Sequence, residues 1–308
     1  MSALTEHVEA YLSARRALGV KLERHGRLLP ELVAYLEAAG ASTVTRELAI
    51  AWARLPAGAH PREWAARLSI ARAFAAYLQT IDPATEIPPA GVFAVGYQRP
   101  TPYLWTQRDI RRLLDAAREL RPPLRAASYE ALFGLLAVTG MRLGEAITLE
   151  PGDVDLASGV ITIHAHAAKL ERARLVPLHP TTVQALERYA NTRARLCPRP
   201  RANTFFLSST GTSLDRSAVA KTLRTLTTAL GLRTDTVHPT AHQLRHSLAV
   251  STLIDWQRSG VVIDEQIAVL STYLGHVSPA ETYWYLTATP ELMATAAQRL
   301  QQHLGGQP

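Results

Sequence analysis

The 308-residue chain is 47% apolar and has a mean hydropathy of -0.02, so it can bury two separate cores, and no apolar run approaches the roughly 20 residues that span a bilayer. Its one cysteine, Cys197, excludes an internal disulfide and any multi-cysteine zinc site, and points to a reducing cytoplasm. The net charge of +7 is almost wholly arginine, because Lys21, Lys169 and Lys221 are the only lysines; a guanidinium fork matches phosphate oxygens and favours a polyanionic partner, although a biased base composition of the gene gives the same balance.

The N-terminus, MSALTEHVEAYLSARRALGV, lacks the basic-then-apolar pattern of a signal sequence and reads as the start of a helix. Apolar residues at helical spacing continue through GRLLPELVAYLEAAG, TRELAIAWARL and HPREWAARLSIARAFAAYLQTI, the last with Pro61 in its first turn. Residues 83–105 are proline-rich without sustained periodicity and read as a linker between a helical domain, 1–82, and a second domain, 106–308. Thr106 is placed to cap the helix TQRDIRRLLDAARELR, and YEALFGLLAVTG predicts an apolar helix ending at Gly140. GVITIHA and RARLVPLH, flanking AAKLE, suggest a β-hairpin; TTVQALERYANTRARL predicts a helix, TFFLS a short strand, DRSAVAKTLRTLTTALG a capped helix, and the remainder is helical. The expected fold class is mainly α with a small β component.

Four short stretches carry candidate chemistry. In TGMRLGEAITL, Arg142 follows a glycine at a helix junction, and Glu145 is placed to orient its guanidinium; an isolated arginine there is also a common solvated residue. Lys169 lies near the tip of the expected hairpin, as a general acid or as a solvated turn lysine. In AHQLRHSLA, residues 241–249, His242, Arg245 and His246 share one helix face, with Leu244 and Leu248 opposite. A metal pair there lacks a third ligand and has a fixed positive charge beside it, leaving a phosphate grip or a plain polar face. In YLGHVSPAETYWYLT, His276 follows Gly275, and Tyr283 and Tyr285 come seven and nine residues after the histidine. A phenolate attacking phosphorus needs cationic donors on the non-bridging oxygens and an acid for the leaving alkoxide. Two arginines, two histidines and a lysine meet that need.

Taken together, these motifs resemble the tyrosine recombinases, the family of phage integrases and chromosome-dimer recombinases. Arg142 stands in TGMRLGE, Lys169 ahead of RARLVPL, His242 and Arg245 in HQLRH, His276 in LGH, and Tyr285 nine residues on, all in the family's order and spacing. The resemblance at motif level covers residues 102–308, and for the N-terminal part it rests on a helical domain preceding the catalytic one. It implies an N-terminal helical DNA-clamping domain followed by an α+β catalytic domain. It also implies cleavage in which Tyr285 forms a 3′-phosphotyrosyl link, Arg142 and Arg245 hold the phosphate, Lys169 protonates the 5′-oxygen, and His242 and His276 assist. Neither ATP nor metal is implied. Glu145 and His246 are expected behind these groups, Tyr283 and Trp284 as packing or stacking residues, and Arg172 and Arg174 as candidate DNA-phosphate contacts or a solvated hairpin arm.

The implied partners are double-stranded recombination sites, a homo-tetramer on DNA and possible partner recombinases, with no membrane; the implied location is the cytoplasm, on the nucleoid when DNA is bound. PELMATAAQRLQQHL reads as an amphipathic tail helix with Leu292, Met293, Ala296, Leu300 and Leu304 as its stripe, docking on a neighbouring protomer or on its own domain. The expected biology is integration or transposition of a mobile element. A topoisomerase of the same chemistry and a non-catalytic DNA-binding protein are the alternatives.

Overall fold

The computed structural model describes residues 2–20, 22–93, 102–164, 173–276, 278 and 280–287. The chain divides into two compact units, Met1–Arg99 and Pro100–Pro308.

The first unit consists of four helices, α1 (Ala3–Ala17), α2 (Glu23–Ala38), α3 (Arg46–Ala53) and α4 (Pro61–Leu78). Three of them start where a side chain takes up a first-turn amide: Ser2 accepts from Thr5 N, Thr45 from Leu48 N, and His60 from Arg62 N. Their apolar faces meet in a core containing Leu29, Leu32, Leu36, Trp52 and Phe74. The chain after α4 stays on this unit: Glu86 N donates to Val44 O (2.8 Å), and the Glu86 carboxylate accepts from Arg46 N (2.8 Å). Ile87, Val92 and Phe93 pack against the same core. At the other end of the proline-rich stretch, Trp105 lies in the core of the second unit, with Tyr103 against it. Residues 94–101, between them, lie outside the described residues.

The second unit is built around α6 (Pro123–Thr139), an apolar helix that packs on α5 (Gln107–Arg118), α8 (Pro180–Leu196) and α10 (Ala241–Arg258). α5 begins with the Thr106–Asp109 capping box, and α9 (Arg216–Ala229) is capped by Asp215. Between the short helix α7 (Leu143–Thr148) and α8, a three-stranded antiparallel sheet runs in the order β1 (Val154–Asp155), β2 (Val160–Ile163), β3 (Arg174–Pro177). Ile161 opposes Val176 and Ile163 opposes Arg174, and the alternation buries Ile161, Ile163 and Val176 in the core. The connection from β2 to β3, residues 165–172, lies outside the described residues, so nothing is placed for Lys169 or Arg172.

The strand expected at TFFLS reduces to a single bridge, Leu207 with Ser213. Phe205 and Phe206 instead pack around Tyr189, and the Tyr189 hydroxyl donates to Phe205 O and accepts from Leu207 N, so side-chain packing replaces a ladder. Helices α10, α11 (Ile263–Leu274) and α12 (Ala280–Thr287) close over a second cluster, with Leu253, Ile267, Leu270 and Leu274 at its centre and Tyr285 in its wall. The expected tail helix lies outside the described residues. Among the described residues, no helix is long and apolar enough to cross a membrane.

Candidate active site

Two left-handed glycines end the two helices that lead into the site. Gly140 (φ 61°) closes α6, and its carbonyl accepts from Nη1 of Arg245 at 2.8 Å. Gly275 (φ 70°) closes α11, and its carbonyl accepts from Nη2 of Arg142 at 2.9 Å. Each positive φ turns a helix-end carbonyl out of the helix direction, which glycine does without steric cost. The glycines of TG and LGH therefore each hold the arginine of another motif.

Arg142 is the N-cap residue of α7, and its backbone N–H and Nη1 both donate to Glu145, at 2.9 and 3.1 Å. Glu145 is 2% exposed and has a second cation on it: Arg174 donates Nη1 to Oε1 at 3.2 Å and Nη2 to Oε2 at 2.8 Å. Burial alone pushes the Glu145 carboxyl up, but the Arg174 hydrogen bond and charge, followed by the Arg142 donors, leave it below the usual carboxylate range. Arg174, a candidate DNA contact by sequence, has its guanidinium committed inside the protein, with Nε on Tyr273 O at 3.2 Å. Its position at the start of β3 turns the side chain towards α7 and the end of α11, and away from solvent.

Arg245 is 1% exposed, and its Nη2 is buried without a hydrogen-bond partner. Burial, followed by the charge of Arg142, lowers its pKa to about 10. An unsatisfied charged donor in the interior is costly, on the order of 1–3 kcal/mol or more. Arg142 and Arg174 both bond Glu145, and Arg245 adds a third guanidinium charge nearby, so positive charge exceeds that of Glu145.

Tyr285 is 3% exposed and sits between histidines. Its ring stacks on His276 (centroids 6.0 Å, 24°) and meets His246 edge-on at 5.2 Å. His246 in turn lies 4.4 Å from the His242 ring and 5.4 Å from Trp284. Burial raises the Tyr285 pKa, opposed first by the Arg245 charge, then by a side-chain hydrogen bond with Arg245 and by the charge of Arg142. The His276 Nδ1 pairs with the buried Thr282 hydroxyl at 2.7 Å. Tyr283 points elsewhere: it is 40% exposed, and its hydroxyl donates to Asp264 at 3.2 Å. The rotation of α12 thus separates Tyr285, which the spacing from His276 favours, from Tyr283.

His276 has its pKa lowered from 6.5 to about 3, first by burial and then by repulsion from Arg245 and Arg142. The folded ring is therefore neutral at physiological pH. Because the unfolded chain takes up this proton near pH 6.5, acid favours unfolding: the contribution of His276 is fully present above that pH and is lost as pH falls towards 3. Urea midpoints measured at about pH 7.5 and 4.5 are expected to fall less for His276→Asn than for the wild type; equal falls contradict the neutral, buried ring.

The structure brings Arg142, Glu145, Arg245, His242, His246, His276 and Tyr285 into one site. Lys169 and Arg172 lie outside the described residues. Sequence reasoning missed the internal role of Arg174 and the support of His276 by Thr282. The nearest signal for Arg174 is its place at the start of a strand whose alternate residues are buried. Among the described residues, no group of three His, Cys, Asp or Glu side chains comes together to hold a metal.

Residues 104–291 match the phage integrase family. The chain is 42% identical over 310 residues to an integrase/recombinase protein, y4rB, of Sinorhizobium fredii, covering 98% of each. It is 28% identical over 229 residues to tyrosine recombinase XerC of Actinobacillus succinogenes, covering 74% of this chain and 71% of that one. The fold is similar to that of the Tn1549 transposon integrase in complex with transposon right end DNA (TM-score 0.67, 16% identity, 97% of this chain and 99% of that chain). The chain belongs to the phage integrase family, the tyrosine-type site-specific recombinases.

Proposed function

We propose that the chain cuts and rejoins DNA at specific sites with Tyr285 as nucleophile, in integration or transposition of a mobile element. The observation that carries the reading is the burial of Arg245, 1% exposed and repelled by Arg142, with its guanidinium against Tyr285. A scissile phosphate supplies the anion that offsets this buried charge. Arg142 and Arg245 hold its non-bridging oxygens and stabilise the charge that builds up as the phenolate attacks.

In this reading the Tyr285 oxygen bonds to phosphorus, the bond to the 5′-oxygen breaks, and Lys169 gives that oxygen its proton. His242 takes the proton of the tyrosine, and neutral His276 donates a hydrogen bond to the phosphate. The 3′-phosphotyrosyl link keeps the energy of the broken ester, so a second strand's 5′-hydroxyl reverses the step onto a new partner. The first unit supplies further DNA contacts. Four protomers assemble on paired sites in the cytoplasm, alone or with partner recombinases.

The reading is tested with a nicked suicide duplex made from the DNA flanking the gene, which loses the short strand beside the nick once cut. Wild type and Tyr283→Phe are expected to form a covalent adduct resistant to denaturing electrophoresis, and Tyr285→Phe none. Loss of the adduct in Tyr283→Phe with retention in Tyr285→Phe contradicts the assignment.

A further inference from the structure

Arg174 stands where three parts of the site meet. Its two Nη atoms span both oxygens of Glu145, the carboxylate that orients Arg142. Its Nε holds the Tyr273 carbonyl in the last turn of α11, two residues before Gly275. Its guanidinium also lies close against Gly275, where an added Cβ would come within 2.6 Å of Nη1 and 2.7 Å of Cζ. Gly275 in turn presents its carbonyl to Arg142 and is followed by His276. One side chain on β3 therefore touches the residue that orients Arg142, the glycine that holds it, and the turn that carries His276.

The charges point the same way. Glu145 paired with Arg142 alone forms a neutral couple, in which Arg142's charge is largely satisfied before any substrate arrives. A second guanidinium, taking the bidentate face of the carboxylate, leaves the trio at a net charge of about +1. Of the two, Arg142 has the more open side chain, 20% exposed against 10% for Arg174.

We infer that Arg174 is a positioning residue for strand cleavage, one that occupies Glu145 and packs under Gly275 so that Arg142 is held in place with its charge available to the phosphate. The inference rests on the reading of Arg142 as a phosphate ligand. It differs from the phosphate contact that the sequence suggests for Arg174, because that role leaves the guanidinium facing DNA. Since Arg174 follows the connection that contains Lys169, the same anchor fixes the start of the strand on which that connection ends.

The test uses the full chain on the nicked suicide duplex, with DNA affinity, its salt dependence and the single-turnover adduct rate at saturating protein measured separately. Arg174→Gln is expected to slow adduct formation by about 10²-fold, the cost of a misplaced reacting geometry, with affinity within about twofold of wild type. Arg174→Lys is expected to recover part of the rate, because it keeps the charge and loses the fork. The Arg174→Gln, Glu145→Gln double variant is expected to be no slower than Arg174→Gln alone, since the two act as a unit.

A wild-type rate at saturation in Arg174→Gln, with weaker binding and a shallower salt slope, overturns the inference in favour of a DNA contact. Should Arg174→Gln fail to fold, Arg174→Lys carries the same test, and a wild-type rate for it overturns the need for the fork. A wild type that binds this DNA without forming an adduct contradicts the cleavage reading itself, and the role of Arg174 with it. An active wild type with an unimpaired Arg174→Gln contradicts the role of Arg174 alone.

Discussion

Arg245→Met is expected to lower the rate of adduct formation by about 10³-fold while leaving the stability of the second unit within about 1 kcal/mol of wild type, or above it. The two halves of this expectation have one cause. Arg245 is almost wholly buried and faces the repulsion of Arg142, which together lower its pKa to about 10, so its charge does little for the folded state without substrate. An unbranched apolar side chain fills most of the same space and gives up the bond to the Gly140 carbonyl and the contact with Tyr285. The transition state, by contrast, loses a preorganised charged donor where charge accumulates on the phosphate. Thermal unfolding and single-turnover cleavage measured on the same preparation decide the matter. A variant destabilised by more than about 3 kcal/mol, the cost of breaking a well-paired buried charge, shows that Arg245 is there to hold the fold.

Gly140→Ala is expected to destabilise the second unit by about 2–4 kcal/mol, combining left-handed backbone strain with overpacking. The new Cβ would come within 2.9 Å of Leu274 Cδ2 and 3.0 Å of Leu248 Cδ2, with Arg245 Cγ at 3.6 Å. Those leucines belong to α11 and α10, so relief of the contact displaces the helices that carry the site. Gly231→Ala is the control, because its φ of +68° carries the same strain with nothing within 4 Å, and it is expected to cost about 1 kcal/mol. Urea unfolding of both variants checks the difference. A Gly140→Ala cost no larger than that of Gly231→Ala contradicts the packing at this turn.

The site was legible in the sequence wherever a short spacing on one element sets the chemistry. His242 and Arg245 lie one helical turn apart at the start of α10, and the nine-residue spacing from His276 reaches Tyr285 on α12. Apolar periodicity likewise marked the four helices of the first unit, and Thr106 and Asp215 marked two helix starts. What stayed hidden depends on contacts between distant elements. Whether Arg174 faces solvent or Glu145 turns on how β3 meets α7, 29 positions away in sequence. TFFLS has strand-forming composition, but the ring of Tyr189 decides its conformation from α8. Arg142 and Gly275 are 133 positions apart, and no local pattern joins the glycine of LGH to the arginine of TGMR.

The central claim is that one buried phenol, Tyr285, becomes the covalent carrier of the DNA strand. It is tested most directly by digesting the trapped adduct and locating the nucleotide by peptide fragmentation, with the ends of the released strand labelled in parallel. The account predicts a 3′-phosphonucleotide on Tyr285 and a free 5′-hydroxyl on the other fragment. A nucleotide on Tyr283 or any other residue, or a linkage through the 5′-phosphate, contradicts it.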